Sequence, residues 1–256
     1  MSIAEKLTTI AENEQKVYEA GKTIDASLTD WGYFLRKVVK KIKYGDTSNG
    51  TNFGYMFYGC DFLTYVPLID TSNGTNFRYM FYACSNLTTI PSIDTSNGTD
   101  FSDMFCGCYR LTTAPSIDTS NGTDFSEMFY GCSKLTTVPS IDTSNGTNFR
   151  YMFYGCSNLT TILSIDISKG TNLSSMFQSC SKLENITFEG QINERINFQW
   201  STLLTKDSII SIINALSPSS SGLTCTLSAT AINNNFTNDE RVELFSTKLN
   251  WTISLV

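Results

Sequence analysis

DTSNGTNFRYMFYACSNLTTIPSI, residues 70–93, decides the fold, because the chain repeats it six times with starts at Asp46, Asp70, Asp94, Asp118, Asp142 and Asp166. The step is 24 residues each time, without insertion. A strict period of this size marks a coil that stacks on copies of itself. Several columns keep their character in every copy: Met80 and its equivalents, the adjoining Phe81, then Cys84, Leu87 and Ile90. These are the candidate core.

Within one coil, LTTIPSI is short, β-branched and bounded by the turn residues DTSNG, which predicts a short strand. TNFRYMFYAC places Phe77, Met80, Phe81 and Cys84 three and four apart, which predicts a short inward-facing helix. Asn-Gly at 73–74 and its equivalents is expected to supply a positive φ. The following Asn or Asp is expected to cap the helix, with Glu127 completing a capping box on Asp124. The expected architecture is an α/β solenoid of 24-residue repeats, with a parallel sheet on one face and short helices on the other.

The pattern MF-x-G-C-x-x-L-T-x-I after D-T-S-N resembles the BspA-like leucine-rich repeats of bacterial surface proteins and of phage and prophage proteins. The resemblance covers residues 39–191 and implies a right-handed leucine-rich-repeat superhelix. The chain departs from the usual pattern at Pro67, Pro91, Pro115 and Pro139 and in its Gly-Thr-Asn/Asp-Phe segment. The opening residues and the ending KLNWTISLV also resemble phage-associated repeat proteins.

Three regions follow. Residues 1–38 read as a helical segment, a cap or an assembly element, with Ile3, Leu7, Ile10 and Val17 at heptad-like spacing and Gly21 as a stop. Residues 39–191 are the solenoid, preceded at Val39 and Ile42 by a degenerate coil whose lysines protect an edge strand. Residues 192–256 are an irregular α/β cap that continues the sheet. There, strands are expected at 196–200, 223–227 and 251–255, and helices from Asp207 to Leu216 and from Asn238 to Leu249.

A formal charge of −6 argues against nucleic acid as a partner. The absence of histidine removes His-based triads and His metal sites. No run of ~20 apolar residues spans a bilayer, and the N-terminus lacks the apolar core of a signal peptide.

The cysteine column, Cys60 to Cys180, is expected to hold free buried thiols, since stacked Cβ atoms sit ~4.8 Å apart where a disulfide needs ~3.8 Å. Cys106 is expected to be exposed, and Cys225 lies in the cap. The Asp column reads as a series of Asx-turns, with calcium between coils as the alternative. Asn-x-Ser/Thr triplets at Asn49, Asn73, Asn97, Asn121 and Asn145 are turn chemistry.

Variation concentrates on the predicted helices. Tyr55, Tyr65, Arg78, Tyr79, Arg150 and Tyr151 are the candidate contact residues, because Tyr and Arg dominate binding hot spots. The functional expectation is a non-enzymatic attachment protein, phage tail-associated or an adhesin of a cell surface. Its partners would be a host-surface glycan or protein, or a neighbouring virion protein, with homo-oligomers formed through the N-terminal helix. No cofactor, metal site, nucleic acid or membrane insertion is expected, and localisation would be the virion or cell exterior. A Thr-rich sheet suits a repetitive glycan. The rival is a structural spacer or filament subunit whose caps make the contacts. A glycosidase is disfavoured because the carboxylates form ladders where a cleft needs a singular pair.

Overall fold

A computed structural model describes residues 48–256 apart from 62, 65, 67 and 68. The expectations for residues 1–38, for the degenerate coil with its basic run, and for Tyr65 lie outside the described residues. The coils are numbered 1–6 from their starting aspartates.

Each coil lies over the next in register. Parallel bridges connect Asn52, Asn76, Asp100, Asp124, Asn148 and Asn172 in succession along one line. On another face run three parallel strands, β1 (Thr137–Val138), β2 (Thr161–Asp166) and β3 (Asn185–Glu189), in the order β1-β2-β3. Thr137 pairs with Thr161 and Thr161 with Asn185, the same 24-residue step. Thr113 reaches Thr137 through a single bridge.

The predicted strand of every coil is thus realised unevenly, and proline explains the difference. Pro91, Pro115 and Pro139 lack the N–H that a ladder needs. In coil 5 the same column holds Leu163, and β2 there runs six residues.

The predicted helices are not formed: among the described residues, 77–84 and their equivalents are successive turns. Phe77, Tyr79, Phe81 and Ala83 donate their N–H groups to carbonyls of Asp100, Ser102, Met104 and Cys106 in the next coil, at 2.7–3.1 Å. Met80, Tyr82 and Cys84 donate three residues back within their own coil. An α-helix would send every N–H four residues back and leave nothing to join one coil to the next. The alternation requires left-handed residues, and Tyr79, Asp103, Glu127 and Tyr151 take φ of 56–58°. The expected capping box at Asp124 and Glu127 is therefore also absent. Asp124 instead accepts the N–H of Ser126 in a local turn.

Each residue of the DTSNG turn has its own task. Asp94 accepts the N–H and hydroxyl of Ser96, as the Asx-turn reading expects. Thr95 is buried and donates to the Asp118 carbonyl of the next coil at 2.7 Å. Asn97 donates to the Ser72 carbonyl of the coil before at 2.8 Å. Gly98 closes the turn by donating to the Thr95 carbonyl. The expected positive φ does not occur at these glycines, since the left-handed ones are Gly59, Gly107, Gly131, Gly155, Gly190 and Gly222. Glycine is needed for space: a Cβ at Gly122 would lie 2.4 Å from the Phe125 ring and 3.0 Å from the Thr119 carbonyl.

The core is a set of columns. Phe57, Phe81, Phe105, Phe129, Phe153, Phe177 and Phe198 stack ring on ring at 4.8–5.9 Å. The methionines and leucines beside them are buried. Cys84, Cys108, Cys132, Cys156 and Cys180 each donate S–H to a phenylalanine carbonyl of the preceding coil at 3.1–3.2 Å. Cys106, expected on the surface, is buried as well, at 5% exposure.

Beyond coil 6 the chain builds β4 (Ile196–Phe198), α1 (Lys206–Ala215), β5 (Leu223–Leu227), α2 (Ala229–Asn235), α3 (Asn238–Ser246) and β6 (Trp251–Leu255). Thr205, two residues before the expected cap, is the N-cap of α1, and Asp207 sits in its first turn. The helix α2 carries no strong sequence signal, since only Ala231 and Ile232 are buried. The final helix has a capping box between Thr237 and Glu240.

The expected continuation of the first sheet into the cap does not occur. β4, β5 and β6 form a second parallel sheet, and α1 covers the open edge of β3. Ser208 Oγ accepts the N–H of Ile186 and donates to the Glu184 carbonyl, while Ser211 Oγ accepts the N–H of Phe188. Serine hydroxyls thus take the place of a neighbouring strand.

Candidate functional site

The turn face is the most varied surface of an otherwise uniform stack. At the ninth residue after each starting aspartate stand Tyr55, Tyr79, Asp103, Glu127, Tyr151 and Ser175. Three residues further on stand Tyr58, Tyr82, Cys106, Tyr130, Tyr154 and Gln178. Stacking brings like columns together, so the surface splits into two tyrosine clusters with an acidic patch between.

In the first cluster Tyr55 lies 4.7 Å from Tyr79, and Tyr58 stacks on Tyr82 at 4.8 Å. Tyr55 and Tyr58 are 37% and 38% exposed. The Arg78 guanidinium sits over the Tyr79 ring at 4.8 Å and donates to its hydroxyl at 3.2 Å. In the second cluster Tyr130 stacks on Tyr154 at 4.7 Å, and Tyr151 meets both edge-on. Arg150 covers the Tyr151 ring at 4.7 Å.

Of the predicted contact residues, Tyr55, Arg78 and Tyr79 come together, and Arg150 and Tyr151 form an equivalent pair three coils away. Tyr58, Tyr82, Tyr130 and Tyr154 belong to the same surface and are not among the predicted contact residues, because a column that is tyrosine in four of the six coils reads as part of the repeat.

Between the clusters, Asp103 is 7% exposed and Glu127 half-buried. Burial, followed by the neighbouring Glu127 carboxylate, pushes Asp103 up to about 6. Burial and the same carboxylates push the Cys106 thiol up to about 12. Tyr82 is also raised to about 12, chiefly by Cys106.

The Thr-rich sheet face is partly occupied by its own bonding. Thr136 and Thr160 donate their hydroxyls to the Thr112 and Thr136 carbonyls one coil back. Near β2, a cavity of about 370 Å³ is lined by Asp142, Asp166 and Glu189. Its carboxylates accept bonds from Ser144, Ser168 and Ser164 respectively.

In-register coils of a fixed 24-residue period, joined by parallel bridges and ring ladders, define a tandem-repeat protein. The family model described as "Mycoplasma protein of unknown function, DUF285" matches residues 33–135 and 111–199, and the chain belongs to that family. No curated protein and no solved structure gives a significant match to the chain. No described helix is long and apolar enough to cross a membrane.

Proposed function

We propose that the chain is a BspA-like leucine-rich-repeat solenoid that serves attachment and catalyses no reaction. In this reading it is carried on a phage tail or a cell surface. The observation that supports it is the pair of tyrosine–arginine clusters built on the same two columns of the turn face, ~15 Å apart across three coil spacings, the second with Glu127 where the first has Tyr55. Tyr and Arg combine large contact area with polar ends and few rotamers to freeze. Two such clusters at fixed separation suit an extended, repetitive ligand such as a surface polysaccharide, engaged at both points at once.

The test applies the full chain to an array of bacterial surface glycans, beside a variant carrying Arg78→Ala, Tyr79→Ala, Arg150→Ala and Tyr151→Ala. Binding by the parent that falls at least about tenfold in the variant, the scale of one hot spot, supports the reading. Undiminished binding by the variant contradicts it.

A structural spacer is the second reading, favoured by the near identity of residues 70–93 and 142–165, which differ only at Ala83/Gly155 and Pro91/Leu163. Removing residues 94–117 separates the two. A spacer tolerates the loss, whereas a bivalent face loses its cluster spacing and its affinity.

A further inference from the structure

Within coils 1–5 the two tyrosine columns are interrupted at Asp103, Cys106 and Glu127, and these three meet, while the last coil departs separately with Ser175 and Gln178. Asp103 and Cys106 replace tyrosines in coil 3, and Glu127 replaces one in coil 4. One carboxylate oxygen of Asp103, one of Glu127 and the Cys106 sulfur all lie within 4.8 Å of one another. Changes scattered at random over a 24-residue coil would not converge on one point.

The Asp103 carboxylate is also held differently from the aspartates beside it. Asp100 and Asp124 each accept a backbone N–H and a serine hydroxyl. Asp103 is more than nine-tenths buried, and its hydrogen-bonding neighbour is the Tyr79 hydroxyl. An ionised carboxylate has about four acceptor sites, so a hydroxyl contact leaves it the capacity to ligate an ion together with the second carboxylate. The cysteines of the core column give their S–H to a carbonyl, whereas Cys106 has the Tyr82 hydroxyl for a neighbour.

We propose that Asp103, Cys106 and Glu127 form a divalent-metal site that clasps coil 3 to coil 4 between the tyrosine clusters. One sulfur and two carboxylates suit a borderline-soft ion of the zinc class, which takes Cys at ~2.3 Å and carboxylate at ~2.0–2.2 Å in tetrahedral sites. Calcium and magnesium favour oxygen-only shells. On binding, the metal–sulfur bond forms as the S–H bond breaks, the proton leaves to solvent, and no redox change occurs. A fourth ligand position remains for water. The ion would add positive charge at the acidic pair itself, beside the Arg78 guanidinium that already acts on Asp103.

The experiment titrates Co²⁺ into the full chain and reads the thiolate-to-cobalt charge-transfer absorption, with Zn²⁺ as competitor and native mass spectrometry for stoichiometry. One equivalent is expected, with an absorption that zinc abolishes and Cys106→Tyr removes, although seven other cysteines remain. Asp103→Asn and Glu127→Gln should each weaken binding by more than about tenfold, since even outer-shell partners are worth that much. The triple variant Asp103→Tyr, Cys106→Tyr and Glu127→Tyr installs residues that neighbouring coils already hold at these positions, so it tests the site in a folded stack. A parent chain without the absorption overturns the proposal, as does an absorption that survives Cys106→Tyr or binding of calcium alone.

Discussion

At the scale of single residues, the repeat is a set of separate solutions to the same problem, how to bond one coil to the next. The columns of Met, Phe, Cys and Leu were legible in the sequence because a fixed period puts like over like. The backbone that carries them was not. Tyr79, Asp103, Glu127 and Tyr151 adopt left-handed φ, and nothing in such side chains announces this. Asn-Gly misled in the opposite direction, since its glycine makes room for a phenylalanine ring. Gly122→Ala should therefore destabilise the protein by about 1–3 kcal/mol through overpacking, read as a lower guanidinium midpoint. A neutral result would mean that the Phe125 ring has somewhere else to go.

Titration gives a second prediction at this scale. Asp103 has a raised folded pKa of about 6, so the folded state holds its proton more tightly than the unfolded state does. Its contribution favours the fold below the ordinary carboxylate pKa of ~3.9 and is lost as pH rises to about 6. Asp118 and Asp142 act in the other direction, because hydrogen bonds from Ser120 and Ser144 lower them. Their stabilisation is present above ~3.9 and disappears as the medium is acidified through their lower folded values. In metal-free buffer, Asp103→Asn should flatten the decline in melting temperature between pH 4 and 6 (~2 units, the window set by carboxylate titration). An unaltered decline would place its cause elsewhere.

At the scale of elements, proline and serine decide where strands begin and stop. β2 is long where Leu163 replaces the proline of other coils, and β1 ends at Val138, just before Pro139. Pro139→Leu should lengthen β1 and slow amide exchange at residues 137–140. Unchanged exchange would show that proline is not the limit. The β3 edge depends on α1, so Ser208→Ala should cost about 1–3 kcal/mol by stranding the Ile186 N–H. The cap strands at 223–227 and 251–255 were legible from β-branched runs. The separate second sheet was not, because the covering of β3 rests on two serines whose hydroxyls resemble ordinary helix-surface residues.

At the scale of the whole molecule, the account rests on coils that add length without changing what lies on either side. The candidate surface follows from the same fact. Repetition places tyrosine beside tyrosine, and interruption of the repeat gathers Asp103, Cys106 and Glu127. Predicted contact residues such as Arg78 and Arg150 were legible as residue types, but the grouping of their neighbours into two clusters emerges only when the coils are laid over each other. Small-angle X-ray scattering of a chain with three extra copies of residues 94–117, placed after residue 117, tests this most directly. The account predicts a folded protein whose longest dimension grows by ~15 Å, one strand spacing per coil. An unchanged longest dimension, or a particle that swells equally in all directions, would contradict it.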